Sequence, residues 1–523
     1  MKQFFTLLLL VFSGTILAQD ISINSTSSKV FKDNKKHTSL EFSEKDGNGG
    51  FITIRTYYGG MMRLPKGYYI EHYDKDLNLV KETEMEIDKN QIQGMMVENG
   101  KIFIMESVLD KKADKFYYNV LESSLDAFDF KKKTLLALDE SEVKKYFGFG
   151  IGIFFITNGW DQADSNSLGE VTFSSNRNFF CVNFDIKDKK TQTQRLYVYD
   201  KQFNKVFEKE FKRNVKDRLF EYENIDVDDE TGAVYLLGKV YENNSKKSKK
   251  KGKANYHYEL HKITATDQQN VSFKTDAKFV GSLFTVLGEN GISCAGFYSD
   301  KNDYRYKGAC RFNIDTNTMD ITSKSFKPFT PEFVTEKYGK LKDKELRDLS
   351  LRNSFITPEG DIVINAEEHY ITWTNPGMNG GSSRPIYHYN DIVSIRMNAA
   401  GDLLWARNIN KRQATGGINY EYLSFSSTMV NDDTYLFINC SDKIRKLRND
   451  RIEFKQVKSK KSNLYAIKID KDGNYTFKSI VDDKDTEVPY FVRQGISTSN
   501  YGDEMVFIGR RKSKKQFLKL NVQ

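Results

Sequence analysis

The strongest constraint on this chain is a turn signature that recurs along almost its whole length. A glycine- or asparagine-rich cluster stands just before a strongly apolar strand in DGNGGFITI (46–54), ENGKIFIME (98–106), SNRNFFCVN (175–183) and DETGAVYLLG (229–238). The same arrangement returns in GENGISCAG (288–296), PEGDIVINA (358–366), NDDTYLFIN (431–439) and YGDEMVFIG (501–509). A second signature, an Asp or Asn step between two strands, interleaves with the first. It reads YDKDLNLV (73–80), FDFKKKTL (128–135), YDKQFNKV (199–206), TATDQQNV (264–271), IDTNTMDI (314–321), MNAAGDLL (397–404) and IDKDGNYT (469–476). An Asp side chain that accepts from the backbone two residues on, followed by a residue tolerant of positive φ, is what a tight β-turn requires. The resulting unit of roughly fifty to seventy residues is too small to bury a core alone, so it must pack on its neighbours.

Each unit carries four strands. Those after the first turns, such as Ile52 with Ile54 and Val234 with Leu236, are nearly continuous in apolar residues and read as inner strands packed on both faces. Only 7 prolines and 3 tryptophans stand beside 38 phenylalanines, 29 tyrosines and 34 glycines, which suits an all-β chain of many short strands. At 39% hydrophobic and 29% charged residues, the 523-residue chain is neither disordered nor a polytopic membrane protein. Eight first turns against seven of the Asp/Asn type leave the last unit without an outer strand, and the alternating segment from Ile21 and Ile23 to Val30 and Phe31 can fill that gap. The pattern resembles a β-propeller: a ring of eight four-stranded blades, with seven the alternative, closed by the two chain ends. It implies one domain over 19–523 with insertions at 138–166, 327–350 and 370–390. The segments DESEVKKYFG (139–148) and TPEFVTEKYG (330–339) begin on capping-type residues and are expected to form short helices between blades.

Residues 1–18, MKQFFTLLLLVFSGTILA, have the basic start, apolar middle and small-residue end of a secretory signal peptide, and the ending resembles leaders common in Bacteroidota. No later segment is long and apolar enough to span a bilayer as a helix, so no transmembrane segment is expected in the mature chain. The expected location is the periplasm, peripheral to the outer membrane in one version, or the extracellular space. In such an oxidising space Cys294 and Cys310, which flank a polar turn, either bridge across a hairpin or remain two small buried strand residues. Cys181 and Cys440 read as lone core residues.

The formal net charge is +9, and lysine and arginine concentrate in the second loop of most units: 110–115, 187–195, 243–253, 299–307, 442–451 and 510–515. In a propeller these loops share one face with the connections between blades. Lys246, Lys247, Lys249, Lys250, Lys251, Lys253, Arg510, Arg511 and Lys512 are the candidate partner-binding residues of a basic rim, facing an acidic protein surface or an anionic glycan. An exported protein has little occasion to meet nucleic acid, and the lysine tracts lack interleaved aromatics. The uncharged run GFGIGIFFITNGW (148–160) is read as a buried strand or plug, or as an apolar contact surface through Phe149, Ile151, Phe154, Phe155 and Trp160.

Chemistry is sparse. Six histidines show no HExxH spacing, the cysteines no CxxC, and the Asp-rich turns reach Met85 and Val481 where a calcium loop needs a carboxylate. No catalytic residue, metal site or cofactor is expected. The alternative ligand loop holds Glu368, His369, Tyr370, Trp373, Tyr387 and His388, with Glu367 beside them, where paired carboxylates and aromatics suit a sugar. Adjacent glutamates on a strand point to opposite faces, which makes a poor catalytic pair unless a bulge intervenes. The expectation is therefore a non-enzymatic scaffold docking on a larger envelope complex, such as a plug or accessory subunit of a type IX-like secretion translocon. A carbohydrate-binding or carbohydrate-active propeller is the alternative.

Overall fold

The computed structural model describes every residue except 1–20, 36, 61–63, 88–89, 144–168, 187–191, 274, 276–277, 289–290, 375–382, 417–419, 450 and 500. Its strands fall into antiparallel sheets that follow one another along the chain. The first contains Thr38–Lys45, Phe51–Gly59, Leu64–Tyr73 and Leu79–Glu86, and the second Asn90–Glu98, Lys101–Asp110, Lys115–Ser124 and Lys131–Asp139. The third is Glu170–Phe173, Phe179–Asp185, Gln192–Asp200 and Lys205–Arg213, and the fourth Phe220–Val227, Val234–Tyr241, Tyr256–Ile263 and Gln268–Phe273. The fifth is Phe279–Gly288, Gly291–Ser299, Gly308–Ile314 and Ile321–Pro328. The sixth, Leu349–Ile356, Ile362–Trp373, Pro385–Met397 and Leu403–Ile409, is extended by Lys411–Thr415, Ile452–Lys455 and Arg445–Lys446. The seventh is Ser426–Val430, Asp433–Cys440, Asn463–Ile469 and Tyr475–Val481. The closing sheet joins Ile496–Ser497, Glu504–Arg511 and Lys514–Val522 to the N-terminal strands Ile23–Ser27 and Phe31–Lys32.

The turn chemistry explains why the strands break where they do. Each glycine- or asparagine-rich cluster joins the first and second strands of a sheet, and each Asp or Asn step joins the third and fourth. Asp74 Oδ1 accepts from the backbone N–H of Asp76 (2.9 Å) and Asn78 (2.8 Å), and Asp200 and Asp470 repeat the arrangement. The left-handed position of that turn is Gly473 in one sheet but Leu77, Phe203 and Met319 in others. These three side chains are buried, so hydrophobic burial offsets the backbone cost that glycine would avoid.

Continuously apolar second strands are needed because each is covered on both sides. Ile52 and Ile54 of the first sheet pack on Ile102 and Ile104 of the second, and Met105 and Tyr118 pack on Phe180 and Phe184 of the third. Leu196 and Phe211 meet Val234 and Leu236, while the alternate residue Leu237 turns the other way to Cys294 and Phe312. Phe297 joins Ile362 and Ile364, Val363 joins Leu436 and Ile438, and Phe437 joins Phe507 and Leu518. Ile508 and Phe517 of the closing sheet then pack on Phe51 and Tyr73 of the first. The path of cores returns to its start, and the chain is a β-propeller. The first strands of neighbouring sheets touch one another and line the centre. The continuously apolar strands stand second, and the fourth strands alternate exposed and covered residues, as in Lys205–Arg213.

Closure uses both chain ends, as the sequence implied. Ile23 to Ser27 pair with Val522 to Leu518, and Phe31 and Lys32 pair with Lys515 and Lys514. A buried charge cluster pins this seam: Asp33 lies against Lys515 and receives Arg55 (2.7 Å), whose Nε donates to Glu71 (2.7 Å). The helix expected near 330–339 is present as Pro331–Tyr338, capped by Thr330 Oγ1 on the Phe333 N–H and ended by left-handed Gly339. The companion segment at 139–148 begins as the end of a strand and a turn, and Val143 bridges Ile186. Residues beyond 143 lie outside the described residues, as do the leader at 1–18 and the uncharged run at 148–160. The 370–390 insertion is in its described part no loop but the far half of a hairpin, where Tyr387 to Tyr389 pair with Thr415 to Gln413.

All four cysteines are free and buried. Cys294 and Cys310 are not opposite each other: Cys294 stands across from Phe312, and Cys310 across from Gly296. The register therefore favours two small core residues over a bridge, and burial pushes both thiols well above their usual range.

Candidate functional site

In a four-stranded antiparallel sheet the first and third turns emerge on one side and the second loop on the other. Asp46, Asp74, Asp200, Asp228, Asp315 and Asp470 therefore mark one face of the ring, and the basic second loops mark the opposite face. The most developed of these loops is in the fourth sheet. Lys249 and Lys250 pair with Ala254 and Lys253 in a small hairpin whose turn uses left-handed Lys251 and Gly252. Lys246, Lys247, Lys249, Lys250, Lys251 and Lys253 are all exposed. Lys249 Nζ reaches the neighbouring second loop, donating to the Lys301 carbonyl (2.9 Å), and lies 5.4 Å from the Phe279 ring centroid, while Asn255 Nδ2 donates to the Ser245 and Lys247 carbonyls at the base of the arm.

Other members of the rim serve the fold. Arg510 is half-buried, donates to the Thr38 carbonyl (3.0 Å), lies over the Phe491 ring (5.1 Å) and faces Glu421 (3.8 Å). Lys515 is buried at the closure seam, and Arg451 donates to the carbonyls of Glu336 and Lys337, which holds the helix C-terminus. Arg511 and Lys512 remain exposed. The available positive surface is thus narrower than a count of lysines and arginines suggests. Charges on one strand sequence cannot reveal which of them a distant carbonyl or carboxylate will claim.

The ligand hairpin divides into a sealed root and an open tip. Glu367 is fully buried. Its Oε1 accepts from Lys411 Nζ (2.6 Å), and its Oε2 from Arg352 Nε (3.0 Å) and Ser424 Oγ (2.7 Å). Burial opposes its ionisation, but Lys411 and Arg352 outweigh that and hold the carboxyl below its ordinary value. A bulge does intervene next door, with Asn390 and Asp391 together opposing Glu368. Glu368 is salt-bridged to Lys337 of the helix (2.7 Å), which also bridges Asp391 (2.6 Å), and burial raises its carboxyl above the ordinary value. With Glu367 sealed and Glu368 paired, the two do not form the open pair that sugar cleavage needs. Further out, Tyr370 stacks on His388 (4.4 Å between centroids), His388 Nε2 lies 2.8 Å from Thr372 Oγ1, and His369 packs against Tyr389. Trp373 is 64% exposed at the tip, with Tyr387 half-buried below it. Phe149, Ile151, Phe154, Phe155 and Trp160 lie outside the described residues. Sequence reading missed Arg352 and Lys411, which sit in separate strands with no local motif. Arg352 alone carried a signal, as the one charge in LSLRNSFIT (349–357), whereas Lys411 stands beside Arg412 and Gln413.

The sequence matches no family model, and no curated protein matches it. Solved structures with a similar chain path include an acylaminoacyl peptidase of Pyrococcus horikoshii, with 7% identity, covering 82% of this chain and 51% of that one, at a TM-score of 0.34. Prolyl oligopeptidase B from Galerina marginata shares 10% identity over 91% of this chain and 56% of that one, at 0.37. The polysaccharide lyase Uly1 shares 10% over 92% and 89%, also at 0.37. The chain spans about half the length of the two peptidases.

Proposed function

We propose that this chain is a non-enzymatic interaction scaffold that docks through its second-loop rim on an acidic partner surface. The observation that carries the reading is the arm of Lys246, Lys247, Lys249, Lys250, Lys251 and Lys253: six exposed cations in one loop, four of them in its small hairpin, on the face opposite the aspartate turns. A rigid ring keeps that arm, Arg511 and Lys512 in fixed relation, so a partner meets a preset charge pattern. Such patterns raise association rate and specificity more than affinity.

The finer statements belong to the same proposal. Eight blades are expected from the turns with seven the alternative, and seven is the count adopted, the composite closing sheet not being scored as a blade. The compartment is the periplasm, and the partner an outer-membrane or periplasmic complex, a type IX-like secretion translocon being the version to test first. Replacing the six arm lysines with serine supplies the test. In capture from outer-membrane extract, the wild-type chain should recover a stoichiometric partner at low salt and release it at high salt, and the variant should not recover it. Equal recovery by both proteins overturns the proposal.

A further inference from the structure

The second-loop face bears more than the lysine arm. Among the described residues, Leu341 is 67% exposed, Trp373 64%, Tyr304 57% and Ile371 46%, and all four stand on that face. Tyr304 is in the second loop of the fifth sheet, Leu341 in the connection to the sixth, and Ile371 and Trp373 near the tip of the sixth-sheet hairpin. The other exposed large hydrophobics lie on fourth strands or beside first turns.

Contacts tie the four into one sector. Arg305 and Tyr306 pair with Arg347 and Leu346, which lays Tyr304 beside the connection that carries Leu341. Lys337 at the end of the helix bridges Glu368 at the hairpin root (2.7 Å). Leu341 follows Lys337 by four residues, and Trp373 follows Glu368 by five, so at about 3.3 Å per strand residue both lie within about 20 Å of that ion pair. Ile371 and Trp373 alternate with Tyr370 and Thr372 and so share one side of the hairpin, across from Tyr387 and Pro385.

Cations surround these side chains. Exposed Lys340 and Lys342 flank Leu341, and exposed Arg384 precedes Pro385. The sixth sheet continues from the hairpin through Lys411–Thr415 to Ile452–Lys455, where Arg412 pairs with Lys455 and both are exposed. The nearby carboxylates leave this balance positive: Asp300 is held by Lys278 (2.6 Å) and Lys307 (2.5 Å), Asp303 faces Lys239 (3.5 Å), and Asp343 stands between Lys342 and Lys344. Separate hydrophobic side chains, each set among lysines and arginines, do not make the contiguous centre, poor in lysine, of a protein interface. They match a bilayer surface, where tryptophan, tyrosine and leucine enter the headgroup region singly and basic side chains reach past them to the phosphates.

We infer that the fifth- and sixth-sheet sector of this face seats on an anionic lipid surface. Trp373, Ile371 and Leu341 enter the headgroup region, Tyr304 lies at its edge, and the flanking lysines and arginines meet the lipid phosphates. A few shallow side chains combined with exposed cations give reversible, salt-dependent attachment. The inference goes beyond docking of the lysine arm and does not rest on it.

Vesicles of phosphatidylglycerol mixed with phosphatidylcholine are the probe and vesicles of phosphatidylcholine alone the control, in flotation of the whole mature chain at physiological salt. The wild type should float with the anionic vesicles and not with the neutral ones. Ile371→Ser combined with Trp373→Ser should weaken flotation by about tenfold or more, the loss of two apolar side chains from the contact. The six-lysine-to-serine protein should still float, and its flotation should still depend on Trp373, so a failure of arm docking and a failure of lipid contact are read separately. Wild-type protein alone gives a second readout if a variant fails to fold. Anionic vesicles should slow acetylation of Lys340 and Lys455 and leave Lys75 and Lys471, exposed in turns of the opposite face, unaffected. The inference is overturned by no flotation at millimolar anionic lipid, by equal flotation with neutral vesicles, or by a hairpin variant that floats as the wild type does. Loss of all flotation in the arm variant, equal acetylation of Lys340 and Lys455 with and without vesicles, or Trp373-dependent capture of a protein without vesicle binding overturns it as well.

Discussion

Phe517→Ala tests whether the ring is one cooperative object. The Phe517 side chain is 1% exposed, and its ring lies 5.5 Å from Phe31, 5.3 Å from Phe51 and 4.6 Å from Tyr73. It thus joins the N-terminal segment, the first sheet and the final strand at the seam. Truncating a phenylalanine so enclosed costs about 3–5 kcal/mol from lost transfer energy and the residual cavity. If about 500 residues melt together, the unfolding entropy is about 1 kcal/mol/K, and the midpoint falls by about 3–5 °C. If the closing sheet melts alone, as a unit of about 50 residues, its entropy is roughly a tenth of that and the same loss lowers its midpoint by tens of degrees. Differential scanning calorimetry separates the two. One transition, displaced by a few degrees and unchanged in enthalpy per residue, is the expected result. A main peak at its wild-type temperature with a separate early peak would refute the closure reasoning.

Other perturbations test the remaining arguments. Glu367→Gln leaves buried Lys411 and Arg352 without their anion and should cost about 3–5 kcal/mol by urea denaturation at neutral pH; a loss under about 1 kcal/mol contradicts the assigned network. Because the Glu367 carboxyl is lowered from 4.5 in the folded chain, its contribution is present above that ordinary value and fades as pH falls through the lower folded one. The variant's stability should accordingly fall less on acidification than the wild type's, and parallel acid limbs would exclude this. Leu77→Gly relieves a left-handed backbone but uncovers the core, and a net loss of about 1–3 kcal/mol is expected; a stabilised variant would show that burial does not hold that turn. Gly473→Ala places a Cβ 2.6 Å from Trp405 Cγ at φ +86°, so the urea midpoint should fall, and an unchanged midpoint would remove the need for glycine there.

The fold was largely legible because its determinants are local. Asp74, Asp200 and Asp470 set their turns through backbone contacts within four residues, and near-continuous apolarity in Ile52 to Ile54 or Val234 to Leu237 fixes which strands are covered twice. Even the pairing of the two chain ends followed from counting turns. The sites were less legible. Lys246 to Lys253 could be read as an exposed arm because a six-lysine tract has no means of being buried, whereas Arg510 and Lys515, a few residues from exposed Lys512, are claimed by partners hundreds of positions away.

The sequence alone therefore determined the strand order, the turns and the need for a closed ring, since each depends on neighbours along the chain. Tertiary structure alone decided which charges stay free, why Glu367 is sealed beside Glu368, and that Leu341 and Trp373 come together among cations on one face. The physical reason is that a charge is priced by its surroundings, and in a ring those surroundings come from sheets far apart in sequence.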